Sequence, residues 1–397
     1  MDPHILEWLN LFLRWFHVTA AIAWIGSSFY FNWLEGNLDR QKKPDGLAGD
    51  LWAVHGGGFY HVLKLSGPPQ SMPKLLHWFK YEAYFTWLSG MSLLTLIYFY
   101  GADTYLLDAA KSHLGKTEGI LLCLFSLVLS WLFYHYLAKS KLSQKPVIFT
   151  CILLVFFSSL AFLLTQVFQS KAAYILMGAV IGTIMVANVF FVIIPAQKIM
   201  VANAKAKENK PHHDNYLGKW AGQRSLHNNY ATLPIIFIMI SGHYPATFGY
   251  AYQWALLVGL SIAAMGIRHY FNLKNRKEKN AWILPLATIA MLAMAILTKK
   301  EPELENKKKT SNATISDIEA MSLFQSRCRT CHNSQPVDPL FTQPPNGVTF
   351  DTLEDILARK DDIYKRTITL KDMPLANRSK MTDKEREKIA LWLKKER

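Results

Sequence analysis

Residues 147–195 read VIFTCILLVFFSSLAFLLTQVFQSKAAYILMGAVIGTIMVANVFFVIIP and hold a single charged side chain, that of Lys171. A helix needs about 20 apolar residues to cross the hydrocarbon core of a lipid bilayer, so this stretch predicts two consecutive spans, 147–167 and 172–195. Six further apolar runs predict spans as well: 9–34, 78–100, 118–138, 228–243, 250–271 and 281–298.

Basic residues are distributed unevenly among the connections between these runs. The first, third, fifth and seventh connections hold 18 Lys and Arg, whereas the second, fourth and sixth hold three. Because cytoplasmic connections carry the excess of Lys and Arg, both chain termini are predicted to be periplasmic in a bacterial inner membrane. The first run has no cleavage site after it and is expected to act as its own insertion signal. Much of the net charge of +15 lies in these short connections, so we expect no nucleic-acid partner.

Residues 328–332 read CRTCH, which is the spacing of a c-type haem attachment motif. Two thiols on one helical turn can each bond a haem vinyl group, and the imidazole that follows can bind the iron. A zinc site would need further Cys or His ligands, and the rest of 316–397 contains none. The sequence therefore predicts covalent haem c, attached through Cys328 and Cys331, with His332 as the proximal iron ligand.

The distal iron ligand is predicted to be Met373, which lies in a loop just before the last predicted helix. Methionine ligation raises the reduction potential of haem, as suits an electron carrier. Met381 is the alternative, but it directly precedes the helix-capping residue Thr382, a position where an apolar side chain usually packs. His332 and Met373 are thus the two predicted metal ligands.

The composition of the chain changes after residue 298. Residues 299–315 (KKEPELENKKKTSNATI) are charged and lack periodic apolar positions, which predicts a flexible tether. Residues 316–397 carry two helix-capping signals around the haem motif. The predicted fold is all-α: an eight-span transmembrane helical bundle over 1–298, the tether, and a small class I-like cytochrome c domain over 316–397 in the periplasm.

Ionisable and amide side chains inside apolar spans are rare and usually functional. Several fall in the predicted cytoplasmic half of the bundle, beside the dense polar run RSLHNNY at 224–230. Two structural alternatives stay open: Glu82 and Arg268 could neutralise each other, and Asn188 could be a contact between helices. The candidate catalytic residues are Arg224, His227, Asn228, Asn229, Glu82, Arg268 and His269.

Electrons from this half of the bundle must cross about 30 Å of hydrocarbon to reach a periplasmic haem. The crossing needs either an intermediate carrier, such as haem b between histidines, or a substrate site nearer the outside. His17 and His243 could hold an outer haem b, and His227 and His269 an inner one. Three glycines at 56–58 are read as a close backbone approach to a ligand, with a tight turn as the alternative. The candidates for a membrane haem or for substrate contact are His17, His55, His61 and His243.

Several long runs of the chain carry a family resemblance. They are WLNLFLRWFHVTAAIAWIGSSFYF (8–31), LWAVHGGGFYH (51–61), LHWFKYEAYFTWLSG (76–90), IGTIMVANVFFVIIP (181–195), RSLHNNYATLP (224–234) and GIRHYFNL (266–273), followed by CRTCH and MPLANRSKMT (373–382). In this order the chain resembles the bacterial integral-membrane urate oxidases, also called urate hydroxylases, in which an eight-span domain precedes a cytochrome c. The resemblance covers essentially the whole sequence.

The resemblance implies oxidation of urate with water to 5-hydroxyisourate in purine catabolism. Two electrons would pass to the cytochrome c domain and on to a respiratory-chain cytochrome or terminal oxidase. A urate monoanion needs a cationic donor and planar amide partners. Arg224 with Asn228 and Asn229 fits that need, with Arg268 as second choice and His227 as general base. The alternative function is a haem-b and haem-c electron-transfer module that oxidises quinol without urate activity.

Overall fold

The computed structural model describes residues 2–41, 45–108, 111–206, 211–250, 252–278, 280–298, 315–338, 341 and 343–394, and it is mostly helical. Of the predicted tether, residues 299–314 lie outside the described part of the chain. Nine α-helices are described before residue 298. They are α1 (Pro3–Asn37), α2 (Tyr81–Leu93), α3 (Lys116–Lys139), α4 (Pro146–Val167), α5 (Ser170–Asn188), α6 (Ile194–Lys205), α7 (Pro211–Ser241), α8 (Gln253–Asn275) and α9 (Ile283–Leu297).

Each of the eight predicted apolar runs lies mainly within a helix. By length and composition, four of the described helices could cross a membrane: α3, α4, the continuous helix Ser170–Lys205 that joins α5 to α6, and α8. α9 is apolar but only 15 residues long. The structure is therefore compatible with a membrane protein, and the eight-span arrangement stays a prediction.

The first connection between helices contains a β-hairpin that the all-α prediction missed. Strand β1 (Leu47–His55) pairs antiparallel with β2 (Gly58–Leu65), with Trp52 opposite His61 and Val54 opposite Phe59. The period-two alternation and the β-branched and aromatic residues of this stretch favour strands. The all-α prediction rests on long apolar runs, and this connection has none. Its short alternation is therefore the physical reason why the structure adds a hairpin to the predicted helices.

The glycines of the hairpin serve its turn. Gly56 and Gly57 both have positive φ, +57° and +80°, as a two-residue hairpin turn requires. A Cβ added at either position would meet nothing within 4 Å. The described structure therefore shows no close backbone approach to a binding site here, and the tight turn, which was the alternative, is the better account of the three glycines.

Helix α7 is the central helix of the bundle. It packs against α5 and α8, and also against α1 and α6. The close approach of α7 to α5 depends on Gly178 of α5. A Cβ added at Gly178 would lie only 2.8 Å from Ile238 Cγ2 of α7. Because α7 has neighbours on several sides, the successive side chains of residues 224–230 face different helices.

The C-terminal residues form a separate small unit. Helices α10 (Asp317–Arg327), α11 (Leu353–Ala358), α12 (Lys360–Ile363) and α13 (Asp383–Leu393) surround a core that includes Phe324, Ile389 and Trp392. The two predicted capping signals are confirmed: Ser316 accepts from the Glu319 amide at 3.2 Å, and Thr382 forms a capping box with Glu385. Between these two capped helices, the chain forms the short helices α11 and α12, which meet at Arg359.

The C-terminal unit lies against one end of the helical bundle. A Cβ added to Gly249, just before α8, would lie 2.8 Å from Leu370 Cδ2 of this unit. Tyr105, which follows α2, is within electrostatic reach of Cys331 and Arg378. The residues next to the predicted haem attachment site therefore face the bundle.

The crossing of α1 and α8 yields a stability test. Gly36 of α1 lies against Asn275, and an added Cβ would be 2.8 Å from the Asn275 carbonyl oxygen. Gly36→Ala should destabilise the protein by about 1–3 kcal/mol, because backbone cannot yield to the extra methyl group. The measurement is the thermal unfolding midpoint in detergent. Gly222→Ala is the control, since Gly222 is exposed on α7 with nothing within 4 Å of an added Cβ. Equal unfolding midpoints for the two variants would contradict the close crossing of α1 and α8.

Candidate functional site

A buried guanidinium group lies in the middle of α7. Arg224 is 0% exposed, and its Nη2 donates to the His135 carbonyl oxygen at 3.1 Å. The guanidinium carbon lies 5.0 Å from the ring centroid of Tyr134. Its Nε and Nη1 have no hydrogen-bond partner. Two donors of a desolvated cation are thus free to bind a ligand.

Carboxamides extend this site from α7 to α5. Asn188 Nδ2 donates to Asn228 Oδ1 at 2.9 Å and lies 3.2 Å from the Tyr134 hydroxyl. Asn228 Nδ2 donates to the Met185 carbonyl oxygen at 2.8 Å. The side-chain oxygen of Asn188, Oδ1, is buried and has no hydrogen-bond partner. The reading of Asn188 as a contact between helices is therefore correct, and the same side chain keeps an acceptor free.

A second buried guanidinium lies on the other side of α7. Arg268 of α8 donates from Nε to Asn229 Oδ1 at 2.8 Å, and its guanidinium carbon is 4.0 Å from the Phe29 ring centroid. Asn229 Nδ2 in turn donates to Ser28 Oγ at 3.2 Å. Arg268 Nη2 and both amide atoms of Asn272, one turn further along α8, are buried without partners.

Neither guanidinium forms an ion pair with any carboxylate among the described residues. Glu82 has a buried carboxylate oxygen without a partner, but it makes no salt bridge to Arg268. The alternative in which these two side chains neutralise each other is therefore not seen. A buried cation without a counterion is unfavourable, so Arg224 and Arg268 both favour binding of an anion.

The candidate histidines do not form one cluster. His227 Nδ1 lies 2.8 Å from the Tyr134 hydroxyl, and its ring stacks on Phe149 at 5.0 Å. His269 points to the exposed side of α8 and bonds Tyr230 at 2.6 Å. The rings of His227 and His269 thus have separate neighbours. His55 and His61 lie exposed on the hairpin, where His61 bonds Asp50 at 2.7 Å, whereas His17 and His243 line a large cavity.

Tyr134 joins the site although the sequence did not single it out. Its hydroxyl contacts Asn188 and His227, and its ring faces Arg224. A tyrosine near the end of an apolar run is ordinarily an interfacial residue, so its position alone is uninformative. The available signal was its place next to His135 inside a predicted span.

The CRTCH segment has geometry that fits a covalent haem. Cys328 and Cys331 are free thiols at the end of α10, and the His332 amide donates to the Cys328 carbonyl oxygen at 2.9 Å. His332 Nδ1 lies 3.0 Å from the Val348 carbonyl oxygen. Because a carbonyl oxygen only accepts, Nδ1 carries the proton and Nε2 is left with the lone pair that iron requires. Burial also lowers the pKa of His332, which keeps the ring neutral.

The loop that carries Met373 is held from both sides. The backbone amide of Met373 donates to the Arg366 carbonyl oxygen at 3.2 Å, and Arg386 Nη1 donates to the backbone carbonyl oxygen of Met373 at 2.7 Å. Met373 is half-buried, whereas Met381 is only 3% exposed and belongs to the hydrophobic core of the C-terminal unit. This placement agrees with a packing role for Met381. Met373 as the distal ligand stays a prediction.

Fold and site together define a class of protein. The chain is a mostly helical protein with helices apolar enough for a membrane, and it buries unpaired cations among carboxamides. It belongs to the family described as Urate oxidase N-terminal, whose model matches residues 3–299. Membership indicates an oxidoreductase with urate-oxidase-like function. No curated protein and no solved structure was found to match the chain.

The two methionines provide a test of iron ligation. Met373→Leu should lower the reduction potential of the haem, because Met ligation raises it, and should remove the spectral signature of a sulfur ligand. The measurement is a redox titration of the purified full chain. Met381→Leu is the matched control and should leave the potential unchanged while lowering the thermal midpoint modestly. If Met381→Leu lowers the reduction potential and Met373→Leu does not, Met381 is the distal ligand instead of Met373.

Proposed function

We propose that this chain is a membrane-bound urate oxidase that oxidises urate with water to 5-hydroxyisourate and delivers the electrons to its own C-terminal haem c. The observation that carries the proposal is the fully buried Arg224, whose Nε and Nη1 are unpartnered in a chain of the Urate oxidase N-terminal family. Urate is an anion at neutral pH, and a desolvated guanidinium binds such a group strongly.

Recognition of urate needs amide partners as well as charge. The planar purine presents alternating N–H and C=O groups along its edge, and carboxamides can pair with both. Asn228 and the unpartnered side-chain oxygen of Asn188 belong to a hydrogen-bonded network with Tyr134, whose ring faces Arg224. We assign substrate binding to this cluster, with the Arg268–Asn229 pair as the second candidate for the anion.

Proton removal falls to His227 and Tyr134. The overall reaction converts urate and water to 5-hydroxyisourate, two protons and two electrons. Because Asn188 Nδ2 donates to the Tyr134 hydroxyl, this hydroxyl can in turn donate its own proton to His227 Nδ1. Tyr134 can therefore relay a proton from water or substrate to His227, which acts as the general base. A haem held by Cys328, Cys331 and His332 would supply one-electron acceptance for the two electrons.

The location of the reaction follows from the distribution of charge. The excess of Lys and Arg in the first, third, fifth and seventh connections favours a cytoplasmic position for the end of α7 that carries Arg224, and a periplasmic position for the haem domain. The proposed enzyme is thus a multi-pass protein of the bacterial inner membrane. Its haem domain would pass electrons to a soluble respiratory-chain cytochrome or to a terminal oxidase.

The direct test is anaerobic addition of urate to the purified, oxidised full chain while the haem spectrum is followed. Reduction of haem c by urate, with no reduction by a quinol analogue, supports the proposal. The reverse result supports the alternative, a quinol-oxidising electron-transfer module. Haem that stays oxidised with urate, yet is reduced by dithionite, would rule out direct urate oxidation.

Substitution of Arg224 tests the binding site itself. Arg224→Met should lower kcat/KM for urate by about 10- to 100-fold, the worth of charge-assisted hydrogen bonds of roughly 1.5–3 kcal/mol. The thermal midpoint should not fall, because the variant removes an unpaired buried charge. Steady-state reduction of an external acceptor measures the rate.

The matched control for this substitution is Arg276→Met, which removes an exposed arginine at the end of α8. It should leave kcat/KM unchanged. If Arg224→Met keeps full kcat/KM, the anion site must be moved to Arg268.

A further inference from the structure

A large cavity runs along α1 from the middle of the helical bundle to the C-terminal unit. Its volume is about 2370 Å³, and its walls come from α1, α2, α5, α7 and the C-terminal unit. Pockets for drug-sized ligands occupy about 300–1,000 Å³, so the space exceeds what urate alone would fill. The wall residues in the middle of the bundle are apolar and include Trp24, Met91, Ile97, Ile175 and Met239.

The cavity reaches residues next to the proposed substrate site at one end and residues next to the predicted haem c site at the other. At its inner end it is lined by Met185, whose carbonyl oxygen binds Asn228, and by Phe29, whose ring lies under Arg268. At its outer end it is lined by Arg386, which binds the Met373 carbonyl oxygen. A group bound in this cavity would lie between the proposed substrate site and the predicted haem c.

His17 of α1 lines the cavity with one ring nitrogen free. Its Nδ1 lies 3.0 Å from the Thr86 carbonyl oxygen and 3.1 Å from Ser89 Oγ. Since the carbonyl can only accept, Nδ1 carries the proton. Nε2 therefore has the lone pair, and it makes no hydrogen bond to any described residue. Metal-ligating histidines are commonly held in this way, by a carbonyl oxygen that accepts from the other ring nitrogen.

The backbone opposite His17 is shaped to the imidazole. Gly90 of α2 lies so close that an added Cβ would be 3.0 Å from His17 Cε1. The ring is thereby held between α1 and α2 in one orientation. Gly26 and Gly182 also line the cavity, where the lack of side chains leaves room for a flat ligand.

Cationic side chains lie at the outer end of the cavity. Among the described residues, Arg14, one turn before His17, bonds Asn10 and no carboxylate, and Lys171 at the start of α5 forms no ion pair. Lys171 is within electrostatic reach of Arg14, Arg366 and Asp372. Four carboxylates (Asp108, Asp372, Asp383 and Glu387) also line the cavity, so its charge is positive on balance. The cavity thus combines an apolar body, one free imidazole nitrogen and an outer end with more cations than anions. A porphyrin has the matching pattern: an apolar ring, a central metal and two carboxylates at one edge.

We propose that His17 is an axial ligand of a second haem, of the non-covalent b type, bound in this cavity. His243, an exposed residue just after α7, lines the same cavity and is the candidate for the second nitrogen. The two propionates would face Arg14 and Lys171. Each electron from the inner site would reduce Fe(III) of this haem to Fe(II), and its reoxidation would reduce Fe(III) of haem c. This relay role rests on the proposed urate oxidation, whereas haem binding by His17 does not.

The test uses the purified full chain and separates extractable from covalent haem. Acid-acetone extraction should release about one b-type haem per chain and leave one c-type haem attached. His17→Gly should lose at least about tenfold of the extractable haem, in line with loss of a metal ligand, and retain haem c. Added imidazole should restore haem b to this variant, which shows that the protein is folded. His4→Ala, at the exposed start of α1, is the control and should retain both haems.

Two results would overturn the proposal. One is a wild-type chain that holds only covalent haem, in which case the cavity takes substrate or lipid. The other is a His17→Gly variant that keeps its full extractable haem. Failure of the urate proposal is distinguishable: a His17-dependent haem b that urate does not reduce leaves the haem site valid and removes urate as the electron donor.

Discussion

The buried guanidinium of Arg224 is the constraint around which the bundle is arranged. A cation taken out of water loses several kcal/mol of hydration, and only close partners recover it. Here the partners are the face of Tyr134 and one carbonyl oxygen, with no described carboxylate in contact. The deficit is tolerable because the surrounding helices pack tightly, and an anion such as the proposed urate would complete the missing interactions.

The position of α7 explains how one short polar run serves two sites. Successive residues of a helix are rotated by about 100°, so His227 faces α3 and α4, Asn228 faces α5, and Asn229 faces α1 and α8. The run RSLHNNY appears as a single motif in the sequence. Its side chains are divided between the Arg224 network and the Arg268 pair, and this division depends on the helices that surround α7.

Local spacing is the part of the candidate site that a sequence can indicate. The CRTCH motif, the capping signals and the polar residues inside apolar runs all depend on neighbours along the chain. The bond from His332 to Val348 and the contact of Tyr134 with His227 depend on tertiary packing, so no pattern announces them. The hairpin at 47–65 was missed for a different reason: its alternation is short and lies in a connection, where strands are not expected in a helical protein.

The cavity beside His17 has a shape that argues for an occupant. Its apolar walls can make dispersion contacts with an apolar ligand, and Arg14 and Lys171 at its rim form no ion pair with a carboxylate of the described residues. A ligand with an apolar body and an anionic edge matches both features together. Small anions would satisfy the rim but leave the walls exposed, and a hydrocarbon chain would do the opposite. The same ligand must also shorten the path across about 30 Å of bundle, since the Asn228 network touches one end of the cavity and the Met373 loop touches the other.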